Sequence, residues 1–497
     1  MKKLFLVSSW LVLLANMSCT DLVEKPYSEA SPQDFFVNEK SIEASIISAY
    51  TPLKSYTWTY WNVSECASDE MFKMAYEFFG EFTPIDKHIF SPSNELLRDI
   101  WNDCYIGVGN SNSSLEMLAG ASDKIAIKPK LIAEVRTLRA FYHYLALDMF
   151  GNVPIVTTTD QKTPPTQATR KAVFEFCEAE LKAAIPLLPN TAPIGRVTKG
   201  TALALLNKLY LNAEIYSGTA RWNDCISTAD AIINAGQYSL EANYYDNFKL
   251  QNENSKEAIF QIQFSKNIDL GFPNQNFYMR TLHYNQLPAS PWNGFCTIAE
   301  FYDAFSDNDP RRQALWVGPQ YVPITWPKAA TSGNIVRDRL GRQLVFTKKI
   351  SPTFWEEHEG VRIVKYEPDA IAPGGQGEND YLIFRLADVM LSKAEAQFRL
   401  GQKTEALQLV NQVRQRAYMN DKSADLQSLT LMDIYNERGF ELYWEGFRRQ
   451  DMIRFDTFWD AYTNKPDTRK DKAKTILMPI PTSVLAQNPN LKQNFGY

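Results

Sequence analysis

Aromatic side chains set among polar, turn-forming residues are the groups in this chain best suited to chemistry, and that chemistry is stacking rather than bond-making. Aromatics reach 13% of 497 residues, with 11 Trp, and they are unevenly placed. Tyr56, Trp58, Tyr60 and Trp61 alternate with polar residues, and Phe72, Tyr76, Phe78 and Phe79 follow closely. A second concentration runs from Phe272 through Tyr278, Tyr284, Trp292, Phe295, Trp316, Tyr321 and Trp326 to Trp355. It lies among Pro, Gly and Asn, which puts it on loops. A pyranose ring stacks its apolar C–H face on a flat ring, while Asn, Asp and Arg at the edge take its hydroxyls. The leading candidates for such contact are Trp292, Tyr278, Trp316 and Tyr76, with Asn293, Arg280, Trp58 and Trp61 beside them. Core packing or turn stabilisation is the competing role for each.

Catalytic patterns are weaker. A glycosidase needs two carboxylates flanking the scissile bond at roughly 5–10 Å. Asp69–Glu70, Glu356–Glu357 and Asp307–Asp309 are near neighbours in sequence, and such acids are ordinarily solvated or capping. The chain has no Gly-x-Ser-x-Gly and no His-Glu-x-x-His, and Gly374-Gly375-Gln376-Gly377 lacks the strand and Lys of a phosphate loop. Asp307-Asn308-Asp309 lacks the glycine and terminal Glu of a calcium loop. His88, His143, His283 and His358 form no metal-like pair, and there is no Cys-x-x-Cys. The expectation is therefore no catalysis, no cofactor and no metal. The formal charge of −5, without a basic stripe, argues against nucleic acid.

Another chemistry is written near the N-terminus. Lys2 and Lys3 precede an apolar run from Leu4 to Ala15 that is too short to span a bilayer. Ser18 and Cys19 follow, an arrangement that resembles a bacterial lipobox whose cysteine is acylated, although Asn16 stands where a Leu is usual and Met17 where a small residue is common. An ordinary secretory signal with an incidental cysteine is the alternative. Residues 1–18 thus read as a signal peptide and 19–33, with Pro26 and Pro32, as a tether to a membrane anchor. The five further cysteines, Cys66, Cys104, Cys177, Cys225 and Cys296, are scattered and read as buried thiols.

Helical periodicity covers most of the remaining chain. It predicts helices at Glu95–Leu118, Lys130–Met149, Lys171–Leu187, Lys199–Tyr216, Asn223–Ala235, Arg385–Leu400, Lys403–Arg416 and Leu429–Phe447. Thr201–Ala235 and Leu386–Ala417 each pair a helix rich in small residues with an amphipathic one across a Gly, as tetratricopeptide (TPR) pairs do. Residues 264–381 lack a helical period, collect ten prolines and carry short strand-like stretches near Ala258–Phe264 and Gln343–Lys349. The expected fold is mainly α: one domain over 34–497, its TPR-like scaffold at 34–263 and 382–497, with a loop-rich, ligand-binding insertion at 264–381.

The C-terminal third carries a resemblance. Tyr435-Asn436-Glu437-Arg438-Gly439-Phe440-Glu441-Leu442, then Glu445-Gly446-Phe447-Arg448-Arg449, Met478-Pro479-Ile480-Pro481 and the Asn488-Pro489-Asn490 tail resemble the SusD/RagB family. Arg136-x-x-Arg139-Ala140-Phe141-Tyr142 with Phe150-Gly151-Asn152-Val153-Pro154, Phe384-Arg385-Leu386-Ala387-Asp388, and Trp292-Asn293-Gly294-Phe295 with Asp309-Pro310-Arg311-Arg312 are similar to its other segments. The resemblance implies a non-catalytic lipoprotein of the outer membrane, exposed at the cell surface. It would sit on a SusC-like, TonB-dependent transporter and capture glycan for import. An oligopeptide binder of the same architecture and a TPR-type envelope adaptor without small ligand are the alternatives. The motif charges Arg136, Arg139, Glu437, Arg438, Glu441 and Arg448 lie on otherwise apolar helices and are expected in buried ion pairs.

Overall fold

The computed structural model describes residues 38–74, 80–265, 277–352, 355–371 and 377–497. The signal, the tether with Cys19, and Tyr76, Phe78, Phe79 and Phe272 lie outside the described residues. Ten helices of seven or more residues occur among the described residues: α1 Tyr60–Cys66, α2 Glu95–Gly120, α3 Lys128–Phe150, α4 Arg170–Ala184, α5 Lys199–Leu211, α6 Trp222–Ile233, α7 Leu386–Arg399, α8 Lys403–Ala417, α9 Leu431–Leu442 and α10 Arg448–Arg454. Local chemistry sets their ends. Asn94 Oδ1 accepts from Leu96 N at the start of α2, and Thr198 with Thr201 and Thr430 with Asp433 form capping boxes on α5 and α9. Gly151 closes α3 at φ 70°.

Successive helices pack side by side. α2 lies on α3, α3 on α4, α4 on α5, α5 on α6, α6 on α7, and α7 on both α8 and α9. This mainly helical stack is compatible with TPR-type pairing. Antiparallel strands Ala258–Ile262 and Tyr381–Arg385 join the two halves of the scaffold, with Tyr381 opposite Ile262. Between them the insertion is built from two-residue strand pairs: Leu315–Trp316 with Arg362–Ile363, Gly318–Pro319 with Val345–Phe346, and Tyr321–Val322 with Asn334–Ile335. A small apolar cluster including Tyr278, Leu282, Trp316, Leu344 and Val364 gives this region a core of its own.

Two predicted helices are interrupted: Lys199–Tyr216 at Asn212, between Lys199–Leu211 and Ala213–Ser217, and Leu429–Phe447 after Leu442. The second ends with α9 at Leu442, and a turn in which Trp444 has φ 60° and Gly446 φ 81° separates α9 from α10. The cause is distant in sequence. Glu70 Oε2 accepts from Trp444 N (3.0 Å) and Glu65 Oε1 from Gly446 N (2.5 Å), while Trp61 Nε1 donates to Trp444 O (3.1 Å) and Ser64 Oγ to Gly446 O (3.1 Å). The backbone groups a continuing helix would use are held by α1 and the turn after it.

The motif charges are paired, and all but the half-buried Arg136 are buried. Arg385 contacts Glu257, Glu441 and Glu445; Arg311 contacts Asp309, Glu437 and Glu441; Arg416 reaches Glu257 and Glu441. Arg438 joins Asp388 (3.0 Å) and Asp451 (2.8 Å), Arg448 joins Asp69 (2.7 Å), and Arg136 and Arg139 share Glu180. Charges this deep survive only with such partners. Cys66, Cys104, Cys177, Cys225 and Cys296 are buried free thiols.

Candidate ligand-binding site

Trp58 sits in the turn that leads into α1. Its N–H donates to Ser55 O (2.9 Å), and its carbonyl accepts from Asn62 Nδ2 (2.6 Å). Trp292 follows the short helix Phe277–Thr281 and is pinned to it by its neighbours' backbone. Trp292 N donates to Met279 O (2.6 Å), Asn293 N to Leu282 O (2.9 Å) and Gly294 N to Arg280 O (2.8 Å). The two indoles meet at 6.3 Å between centroids with their planes at 90°, and each residue is 37% exposed. The early aromatic set and the insertion set therefore converge on one exposed pair.

Arg280 lies beneath this pair. It is buried, and its Nη1 donates to Thr57 O (2.9 Å) and Asn62 Oδ1 (2.8 Å). Its guanidinium carbon stands 5.2 Å from the Trp58 ring, 4.9 Å from Trp61 and 4.8 Å from Phe277. A planar cation among three aromatic faces is stabilised by their quadrupoles. Burial draws its pKa down to about 9. Asn62 is the member that sequence reasoning missed: one amide group takes Arg280 on its oxygen and holds the Trp58 carbonyl with its nitrogen. Its signal was a polar residue one helical turn after Trp58, facing inward among apolar neighbours.

Five of the other sequence candidates are buried and packed against the protein's own groups. Trp61 is fully buried, its ring 4.5 Å from Phe277 and 5.3 Å from Trp444. Tyr278, 1% exposed, donates its hydroxyl to Asp369 O (3.3 Å). Trp316, 2% exposed, donates Nε1 to Pro327 O (2.6 Å) and lines a cleft of the insertion with Tyr302 and Arg312. Asn293 is wholly buried; its Oδ1 accepts from Arg362 Nε (3.0 Å) and Nη2 (2.7 Å), and Nδ2 donates to Glu357 O (3.0 Å). Arg280 is the fifth. A ring or amide with no solvent-facing surface cannot stack on a ligand, and a long insertion needs a core that only its own loop residues supply. Tyr76 lies outside the described residues. Among the described residues, no group of three or more His, Cys, Asp or Glu is placed to hold a metal ion.

Residues 235–497 match the model of the SusD family. The chain belongs to the SusD family. Residues 22–211 of this SusD-family chain also match a model described as starch-binding and associating with the outer membrane. The starch-binding protein SusD of Bacteroides thetaiotaomicron is 25% identical, over 88% of this chain and 85% of that protein. A crystal structure of a SusD superfamily protein from Parabacteroides distasonis has a TM-score of 0.75 at 23% identity, covering 92% of this chain and 99% of its own. Surface glycan-binding protein A from Bacteroides uniformis gives 0.74 at 22% identity, covering 92% and 99%. These structural likenesses establish the SusD fold.

Proposed function

We propose that the chain is a non-catalytic, lipid-anchored glycan-binding protein of the outer-membrane surface. It captures oligo- or polysaccharide on the Trp58–Trp292 pair and delivers it to a SusC-like, TonB-dependent transporter. The observation that carries this reading is the pair itself: two exposed indoles, set edge to face, with Arg280 against the Trp58 ring and Trp292 N held by Met279 O. Two such faces at right angles cradle a curved or branched sugar chain better than one flat platform, and the pre-set geometry lowers the ordering cost of binding. Similarity to proteins named for binding starch and surface glycans supports the ligand class. Acylation of Cys19 would provide the anchor.

The test is affinity electrophoresis of the body after Cys19 through gels cast with plant, microbial and host polysaccharides. Retardation by one polysaccharide, reduced tenfold or more in apparent affinity by Trp292→Ala or Trp58→Ala, is the expected result. Failure of every polysaccharide, and of their oligosaccharides in calorimetry, would overturn the reading in favour of a peptide ligand or an adaptor.

A further inference from the structure

We infer that the insertion holds a second oligosaccharide-binding cleft, between Tyr302 and Arg312 on one wall and Tyr321 and Lys328 on the other. The cleft has a volume of about 550 Å3 and shares no lining residue with the Trp58–Trp292 pair. Its Arg312 is held in place. Arg312 N donates to Asp309 O (3.1 Å), and Asp309 is itself buried and bound by Arg311, which is anchored on Glu437 and Glu441 of α9. The Arg312 guanidinium carbon lies 4.1 Å from the centroid of Tyr302, and Nη1 pairs with Asp307. Its Nε–H is buried and has no acceptor among the described residues.

The lining combines rings with charged and amide groups, which suits a ligand that has both apolar faces and polar edges. The charge balance narrows its class. Asp307 already neutralises Arg312, which disfavours a phosphate or another multiply charged anion. The half-buried Tyr302 and Tyr321 supply rings for a C–H face, and Asp307 and Lys328 supply an acceptor and a donor for hydroxyls at the rim. A neutral sugar satisfies all of these at once. This proposal rests on the glycan-binding reading above and adds a second site to it. Two sites on one chain would hold a polymer more tightly than either alone through effective concentration, with little gain for short fragments.

The experiment uses the whole body after Cys19, the polysaccharide panel above, and calorimetry with heptasaccharides of whichever polymer retards the wild type. Three variants are compared: Trp58→Ala with Trp292→Ala; Tyr302→Ala with Arg312→Gln; and Ala330→Trp, which fills the cleft from its lining without removing a contact. Melting temperatures within two degrees of wild type certify each fold. Two heptasaccharides per wild-type chain, falling to one in each variant, with polymer retention lowered at least fivefold by either cleft variant, is the expected result. One heptasaccharide per wild-type chain, with both cleft variants retained as wild type, overturns the second cleft and leaves the glycan reading standing. Absence of any retardation and of any heat for the wild type overturns both.

Discussion

Arg280 shows how one residue makes a surface from two distant segments. Its hydrogen bonds fix the Thr57 carbonyl and Asn62, its own carbonyl takes Gly294 N, and its guanidinium supports the Trp58 ring. Replacement by Met keeps bulk but leaves the Thr57 carbonyl and the Asn62 oxygen without this donor. We expect Arg280→Met to cost about 2–3 kcal/mol in urea denaturation, the scale of a lost buried hydrogen bond to a charged group. Glycan retardation should also fall, although the new side chain, like the one it replaces, would lie beneath the indoles and away from any ligand. A variant as stable as wild type with unchanged retardation would refute the supporting role. Trp58 and Trp292 could be picked out as loop aromatics, but the same rule also selected Trp61, Tyr278 and Trp316. What separates them is burial by partners remote in sequence, such as Trp444 and Pro327, which local composition does not report.

Among the elements, helices were readable where the apolar period held, as in α2, α3 and α5. The α9–α10 turn was not, because the left-handed Trp444 is imposed by Glu65, Glu70 and Trp61 rather than by local preference. Gly446, at φ 81°, lies in the left-handed region that favours glycine. Gly446→Ala should destabilise the protein by about 1–2 kcal/mol, measured as a shift in urea midpoint without change in slope. The clamp also titrates. Burial raises the Glu65 carboxyl to about 7 and the Glu70 carboxyl well above its ordinary value. The folded state keeps protons that the unfolded chain releases above about 4.3, so this stability is full at low pH and declines as pH rises toward 7. Glu65→Gln should therefore flatten the fall in melting temperature between pH 5 and 8. Parallel profiles for variant and wild type would exclude the assignment.

At the scale of the whole molecule, the scaffold halves and the insertion meet at one charged junction. Glu257 comes from the turn just before the strand that precedes the insertion, Arg311 from within it, Arg385 from the strand after it, and Arg416 and Glu441 from α8 and α9. Of these charges Glu441 was legible, as an acid on an otherwise apolar helix, yet which acid meets which base depends on topology that no local window contains. Desolvation opposes ionisation of Glu441, but Arg416 and Arg385 together outweigh it and hold the carboxyl below the usual range. A depressed folded pKa gives stability that is present above the unfolded value near 4.3 and is lost as pH falls through the folded value. Glu441→Gln leaves three buried guanidinium groups short of a counter-charge, and we expect a loss of about 3–5 kcal/mol at pH 7. The same comparison in urea at pH 3 should give a markedly smaller loss, because the wild-type carboxylate is then surrendering its own advantage. An equal penalty at both pH values would mean that Glu441 holds the junction by shape rather than by charge. The joint that anchors Arg311, beside the insertion cleft, would then be a packing feature, insensitive to acid.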